Sequence, residues 1–406
     1  MNNITTPSQD AAMVAQVGCA IVGGGPAGAV LALLLARKGV QVALLEEHHD
    51  FNRDFRGDTI HPSVLEIMDE LGLAERLLQL PHTKIRGVSA PVNISFKRLK
   101  TRFPYIMMLP QADFLDFIVD EAKKYLSFHL LIGARVEGLI EEDGVVRGVR
   151  YRQDDEQREL RATLTVAADG RFSKVRKLLG WEPIKTSPPM DVLWFRLPRR
   201  PEDGDEVFGA IKHGHMFIAL KRPNDWQIAY LIAKGSYKEV RAAGIEAFRR
   251  AVADLAPRFA DRISVVQDWK QMALLSVESS RLPRWYKPGL LLIGDAAHTM
   301  SPVGGVGINY AIQDAVVTAN IVTAPLLRGT LSERHLRAVQ RRREWPTRIV
   351  QWGQALVQKQ VITRALASSE ELRPPLIMRL LLRMPFIRDV PPRLVGLGIW
   401  PVHVRA

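Results

Sequence analysis

One cysteine in 406 residues, Cys19, leaves no partner for an intrachain disulfide and excludes a cysteine-based zinc site. It stands in the apolar run VGCAIV, which suits a buried, inert thiol. No set of Ser, His and Asp has the spacing of a hydrolase, and no set of His and carboxylates that of a metal centre. The first 17 residues lack the charged-then-apolar order of a secretion signal. The longest apolar runs read as too short or too interrupted for a membrane span. Together these absences point to a reducing, cytoplasmic setting. Internal repeats and low-complexity tracts are also missing. Acidic residues are the minority, 43 against 56 Lys and Arg, and the deficit is local. Residues 326–406 carry 15 basic and 5 acidic side chains, so +10 of the net +13 lies there. Apolar content of 47% with 24% charged residues describes a folded chain, long enough for two or three domains.

Two glycine loops dominate what is present. VGCAIVGGGPAGAVLALLLARKGVQVALLEEH (17–48) reads as strand, tight turn, helix and strand. Gly23, Gly25 and Gly28 fit G-x-G-x-x-G between the strand and a helix over 27–38. The first glycine permits the turn, the second lets backbone approach a pyrophosphate, and the third lets helix and strand pack closely. Pro26 and Ala27 open the helix, whose free N–H groups and dipole favour phosphate. Glu46 ends the second strand, 18 residues past Gly28, where a carboxylate reaches a ribose hydroxyl; Glu47 follows it. That carboxylate disfavours a 2′-phosphate, so on residues alone this site takes FAD or NAD.

The rest of the chain frames this unit. Residues 61–80 and 111–125 read as amphipathic helices. Residues 129–170 read as strands, with Asp143-Gly144 as a hairpin turn. From about 183 to 277 the chain carries VLWFRL, HMFIAL and WQIAYLI, which suggest an antiparallel sheet. PGLLLIGDAAH then returns to a buried, parallel-type strand, and the remainder reads as helical.

The segment GDAAHTMSPVGGVGINYAIQDA (294–315) selects between the cofactors. With GGGPAG plus Glu46, and with DGRFSKVR (169–176), it resembles the flavoprotein monooxygenases that include para-hydroxybenzoate hydroxylase and the ubiquinone-biosynthesis hydroxylases. The likeness covers roughly 17–330. It implies an α/β fold: a Rossmann-like FAD-binding domain, an inserted antiparallel β-sheet substrate domain and a helical C-terminal region. Expected boundaries are 1–80, 111–182 and 281–330 for FAD binding, 81–110 and 183–280 for the substrate domain, and 331–406 for the helical region. The resemblance also implies that Asp295 meets a ribityl hydroxyl. It implies that the loop Pro302, Gly304, Gly305, Gly307, Ile308 and Asn309 meets the flavin's pyrimidine edge. Arg56 would reach the pyrophosphate, Gln111 would face FAD, Val136 would touch the adenine, and Asp169 would serve FAD and NAD(P)H. His298 reads as a structural hydrogen-bonder.

The activity implied is hydroxylation of an aromatic or polycyclic small molecule. NAD(P)H would reduce non-covalent FAD, and O2 would form a C4a-hydroperoxide that delivers its distal oxygen to an electron-rich carbon. A reductase or dehydrogenase of the same fold would carry the same motifs, so it stays open. No second G-x-G-x-x-G marks a separate nicotinamide domain, and the W-x-W-x-I-P of flavin halogenases is missing. Asp58 and His61 are the weak catalytic candidates, with turn and N-cap duty as the plainer reading. Trp194, Phe217 and Tyr230 could wall a substrate pocket, core packing being the alternative. No metal or nucleic acid is implied. In the basic C-terminal region Ile349, Trp352 and Leu356 fall at helical spacing. The plain reading packs this apolar face inward and leaves the arginines in solvent; membrane association is the less favoured alternative.

Overall fold

The computed structural model describes residues 15–52, 57–88, 94–200, 202–204, 207–212, 214–363 and 389–405. It opens with β1 (Gln16–Val22), α1 (Pro26–Arg37) and β2 (Val42–Glu46). Both strands are apolar and buried nearly throughout, as parallel strands covered on two faces must be. Ten of the twelve residues of α1 are buried, so this helix needs no polar face. Next comes α2 (Pro62–Glu70), with Pro62 in its first turn. The single helix expected over 61–80 breaks at Gly72, whose φ of +72° ends α2, and resumes only as a short turn at 74–77. Then follow α3 (Gln111–Ala122), β3 (Phe128–Ile132), β4 (Arg135–Glu142), β5 (Val145–Gln153) and β6 (Glu156–Ala167). Asp143 and Gly144 both have positive φ, the hairpin geometry their sequence announces. β6 has two partners along its length: β5 runs antiparallel to its first half and β1 parallel to its second.

The next stretch builds β7 (Met190–Pro198), β8 (Phe208–Lys212), β9 (His215–Lys221), β10 (Asp225–Ala233), α4 (Ile245–Leu255) and β11 (Ala273–Leu275). The strands form one antiparallel sheet in the order β8-β9-β10-β7-β11. Side chains alternate across it. Leu193, Phe195, Phe217, Ile228 and Tyr230 pack with Phe248 and Val252 of α4 and with Phe259. Val192, Met216 and Leu231, on the opposite face, pack with Val303 and Ile362.

β12 (Tyr286–Lys287) and β13 (Leu290–Leu292) return to the first sheet, whose order is β12-β13-β6-β1-β2-β3. Its five strands from β13 to β3 are parallel, and β12 is an antiparallel edge. α5 (Gly307–Leu327), α6 (Glu333–Val357) and α7 (Val390–Gly396) complete the described chain. Contrary to the reading of the apolar runs, Val303–Leu327 is long and apolar enough to cross a membrane. Yet 61% of its apolar window is buried inside the protein, where α5 lies on α1, so it is a core helix.

α6 overturns the expected orientation. Its inward face is polar: Gln340, Arg343, Thr347, Gln351 and Gln354 are buried. Trp345, Ile349, Trp352 and Leu356 face outward, at 61, 44, 68 and 46% exposure. The reason is the groove beneath, which offers backbone carbonyls that need donors. Gln340 donates to Pro283 O, Gln351 to Ser280 O and Thr299 O, and Gln354 to Ser301 O and Val303 O, all within 3.1 Å.

Candidate functional site

The three glycines of the first loop separate by what surrounds them. A Cβ on Gly28 would lie 1.9 Å from Gly23 O, and one on Gly23, where φ is +101°, 2.6 Å from Ala168 O. Both are closed by backbone. Gly25 has an ordinary φ of −68°, and a Cβ there meets nothing within 4 Å. So the middle glycine borders open space at the N-terminus of α1, which has no acidic residue in its first turn and no side-chain cap. Pro26 and Ala27 form that first turn. This space and these unsatisfied N–H groups fit a diphosphate. Glu46 is buried at the edge of the same space. Its carboxylate accepts from Gly24 N at 2.8 Å and His48 N at 3.0 Å, so it braces the loop as well as facing it. Glu47 is exposed and paired with Arg135. Val136, buried, opens β4 beside them.

The second motif meets the first at Gly294. Its φ is +58°, and a Cβ there would stand 3.3 Å from both Ala27 of α1 and Ala311 of α5. Two helices from distant parts of the sequence thus converge on the turn that carries Asp295. The turn is held from behind by Asp314, fully buried on α5. Its Oδ2 accepts from Gly294 N (3.0 Å) and meets His298 Nε2 at 2.6 Å, and its Oδ1 accepts from Arg343 Nε at 2.7 Å. Burial pushes this carboxyl up, but His298 and Arg343 outweigh it and leave the carboxyl below its usual range. His298 is structural, as its place in the motif suggests. Arg343, the other side-chain partner of Asp314 and also fully buried, lies outside the motif.

The loop before α5 is clipped to the segment at 59–61. Gly304 and Gly305 have φ of +81° and +63°, and Gly305 N donates to Pro302 O. Thr59 Oγ1 donates to Gly305 O at 3.0 Å, and Asn309 Oδ1 accepts from His61 N at 2.9 Å. Gly307 borders open space, and α5 begins there without a side-chain cap or an acidic first turn. Ile308 packs toward Gly57. Again a helix N-terminus faces room for an electron-rich group. His61 is fully buried, its Nδ1 2.7 Å from Val395 O and its Nε2 without a partner. Burial lowers its pKa to about 4, so the ring is neutral at pH 7.

Asp58 is committed to structure. It accepts from Gln111 N at the start of α3 (3.2 Å) and pairs with Arg222, which lies between β9 and β10. Burial raises its pKa despite Arg222. Its capping role is thus real but serves α3 rather than α2. Asp169 caps the short helix at 174–178 through Val175 N (3.0 Å), while its Oδ1 is buried without a partner, and burial raises its pKa. Arg176 of the same DGRFSKVR motif donates to Ala296 O, tying that motif to the 294–315 segment. Arg56 lies outside the described residues.

Phe217 and Tyr230 do not wall a pocket. They are fully buried on the α4 side of the second sheet. Trp194 stands on the other face, which meets Val303 of the 302–309 loop, and its indole Nε1 is buried without a partner. Strand register puts Gly209, Ile218, Ala229, Trp194 and Ala273 in one rank across that face. The rank beside it is bulky: Ile211, Met216, Leu231, Val192 and Leu275. Small and large side chains thus alternate along the first rank, and Ala229 at its middle is buried. A cavity of about 330 Å³ lies elsewhere, lined by Arg171, Phe172, Lys177 and Trp181 near the Asp169 helix. Among the described residues no three His, Cys, Asp or Glu side chains could hold a metal ion.

A family described as "FAD binding domain" matches residues 16–353. 6-Methylpretetramide 4-monooxygenase of Streptomyces rimosus is 33% identical over 95% of this chain and 93% of its own length. Rifampicin monooxygenase of Streptomyces venezuelae is 29% identical over 73% of this chain, a match that spans only 61% of that longer protein. Among solved structures, the anhydrotetracycline hydroxylase OxyS of S. rimosus superposes with a TM-score of 0.77 at 25% identity, covering 95% of this chain and 76% of OxyS.

Proposed function

Because this chain belongs to the FAD binding domain family of flavoprotein monooxygenases, we propose that it hydroxylates a polycyclic aromatic substrate, with NAD(P)H as reductant. The carrying observation is the convergence of two open helix N-termini on one glycine turn, at Gly25 and at Gly307. Bound FAD would supply the oxygen chemistry; the protein supplies position, charge and a dry setting. Gly25, Pro26, Ala27 and the N-terminus of α1 hold the diphosphate. Glu46 faces a ribose, Val136 the adenine, and Gln111 and Asp169 line the cofactor. Asp295 takes a ribityl hydroxyl. The loop of Pro302, Gly305, Gly307, Ile308 and Asn309 turns N–H groups toward the ring, where they stabilise negative charge on its pyrimidine edge.

Support for the polycyclic reading comes from the relatives, 6-methylpretetramide 4-monooxygenase and rifampicin monooxygenase. Trp194 stands on the sheet face that meets Val303 of the flavin loop, and we assign its buried, unpartnered indole Nε1 as a donor to a substrate oxygen. Neither Asp58, tied to Arg222, nor buried His61 is placed to move a substrate proton, and we assign them to the frame. The test is NADH or NADPH oxidation in air, with and without fused-ring phenols. Expected is oxidation stimulated by substrate, with an oxygenated product by mass spectrometry. Flavin reduction that never yields such a product would instead favour the reductase.

A further inference from the structure

The outward face of α6 carries a stripe that the proposed chemistry does not use. Trp345, Ile349, Trp352 and Leu356 recur every three or four residues, so they line one side of the helix, and each is exposed. Trp400, also exposed, joins them through Arg342, whose guanidinium lies 4.1 Å from its ring centroid. Arg341, Arg342, Arg348 and Lys359 are exposed and fall within one helical step of the stripe. Glu344, the one acidic residue of α6 after Glu333, is set further round the helix and faces Arg348 at 3.8 Å. Arg348 also stacks over Trp345, 5.0 Å from the ring centroid.

We infer that this stripe is a docking surface for an anionic membrane. Tryptophan is the side chain that suits the water–lipid boundary, apolar in body and polar at the indole N–H. Arginine and lysine stems lie along apolar surface while their heads reach phosphate. A second copy is the poorer occupant. A two-fold interface would bring each basic flank against its own copy, like charge on like charge. Charge complementarity favours an acidic lipid surface, and +10 of the net charge falls between residues 326 and 406. Further along the sequence, 373 to 388 holds four arginines, apolar residues and no Asp or Glu.

The full chain is tested by co-sedimentation with vesicles of 30% phosphatidylglycerol in phosphatidylcholine, against phosphatidylcholine alone, at 100 mM salt. Expected is pelleting with the anionic vesicles and at least tenfold weaker partitioning to the neutral ones. Trp345→Gln with Trp352→Gln should cut partitioning at least tenfold, with a loss of the blue shift in tryptophan fluorescence. Arg341→Glu with Arg348→Glu should cut it by more than twentyfold, since each basic residue near the surface is worth about fivefold. Unchanged FAD content shows that the variants are folded. Three results would overturn the inference: no pelleting with anionic vesicles, pelleting indifferent to the tryptophans, or a stable dimer in sedimentation velocity that the tryptophan variant dissolves.

Discussion

Gly25 and Gly28 are three residues apart in one motif, yet substituting them should damage different properties. A methyl group on Gly28 would sit 1.9 Å from Gly23 O, against a floor of 3.0 Å for real Cβ contacts. Backbone must therefore part from backbone by about 1 Å, which places Gly28→Ala at or above the upper end of the roughly 1–3 kcal/mol that overpacking costs. For 406 residues, about 2.1 cal/mol/K each gives an unfolding entropy near 0.85 kcal/mol/K. Gly28→Ala should then lower the melting temperature of flavin-free protein by about 4 °C or more. At Gly25 an added Cβ meets no atom within 4 Å, and the φ of −68° is one valine adopts. Gly25→Val gives up only the mild N-cap preference of glycine, less than about 1 kcal/mol or roughly 1 °C. Its methyls would nonetheless stand where the diphosphate lies, and FAD affinity should fall more than about a hundredfold. Circular dichroism of stripped protein and titration by flavin fluorescence separate the two effects. Wild-type FAD affinity in Gly25→Val, or a melting loss equal to that of Gly28→Ala, would refute the assignment of open and closed glycines.

Asp295→Ala should weaken FAD by about 1.5–3 kcal/mol, roughly 10- to 150-fold, read in the same titration. Asp314→Ala strands Arg343 without its partner in a fully buried site, at a cost of about 3–5 kcal/mol in urea unfolding. Asp314→Ala with Arg343→Leu should recover part of that loss; a double variant weaker than the single would contradict the ion-pair account. His61 titrates near 4 in the folded chain and near 6.5 when unfolded, so the unfolded state binds the extra proton between those values. Its contribution is complete above about pH 6.5 and is lost as pH falls toward 4, up to about 3 kcal/mol. Urea midpoints at pH 7, 6 and 5 should show that fall, and His61→Gln should flatten it.

Much of this was legible in the sequence because local geometry enforces it. The order of strand, glycine turn, helix and acidic strand end in 17–48 admits one arrangement, and the glycine contacts at 23 and 28 are those the spacing requires. Asp143-Gly144 announces its hairpin through the positive φ both residues accept. What escaped depends on partners far along the chain. Asp58 caps a helix 53 residues on and pairs with Arg222, 164 residues away. Alternation places Phe217 and Tyr230 together on one face of their sheet, but only the positions of α4 and of Val303 decide that this face is core. Trp194, one position out of phase with Phe195, faces the other way for the same reason.

The orientation of α6 is the largest departure from the sequence reading. Periodicity finds the apolar stripe, and the usual rule turns such a stripe inward. The rule assumes an apolar floor. Here the floor is a row of carbonyls from Ser280 to Val303, and a buried carbonyl without a donor costs more than a buried methyl group gains. Glutamines at 340, 351 and 354 and Arg343 meet that demand, so donors occupy the inner face. Nothing in that demand dictates the outer face. A helix fixed by its polar side could carry lysine and glutamate toward solvent at no loss of packing. Two tryptophans, an isoleucine and a leucine stand there instead, ringed by arginine, and these are the residues that a surface beyond the protein would select.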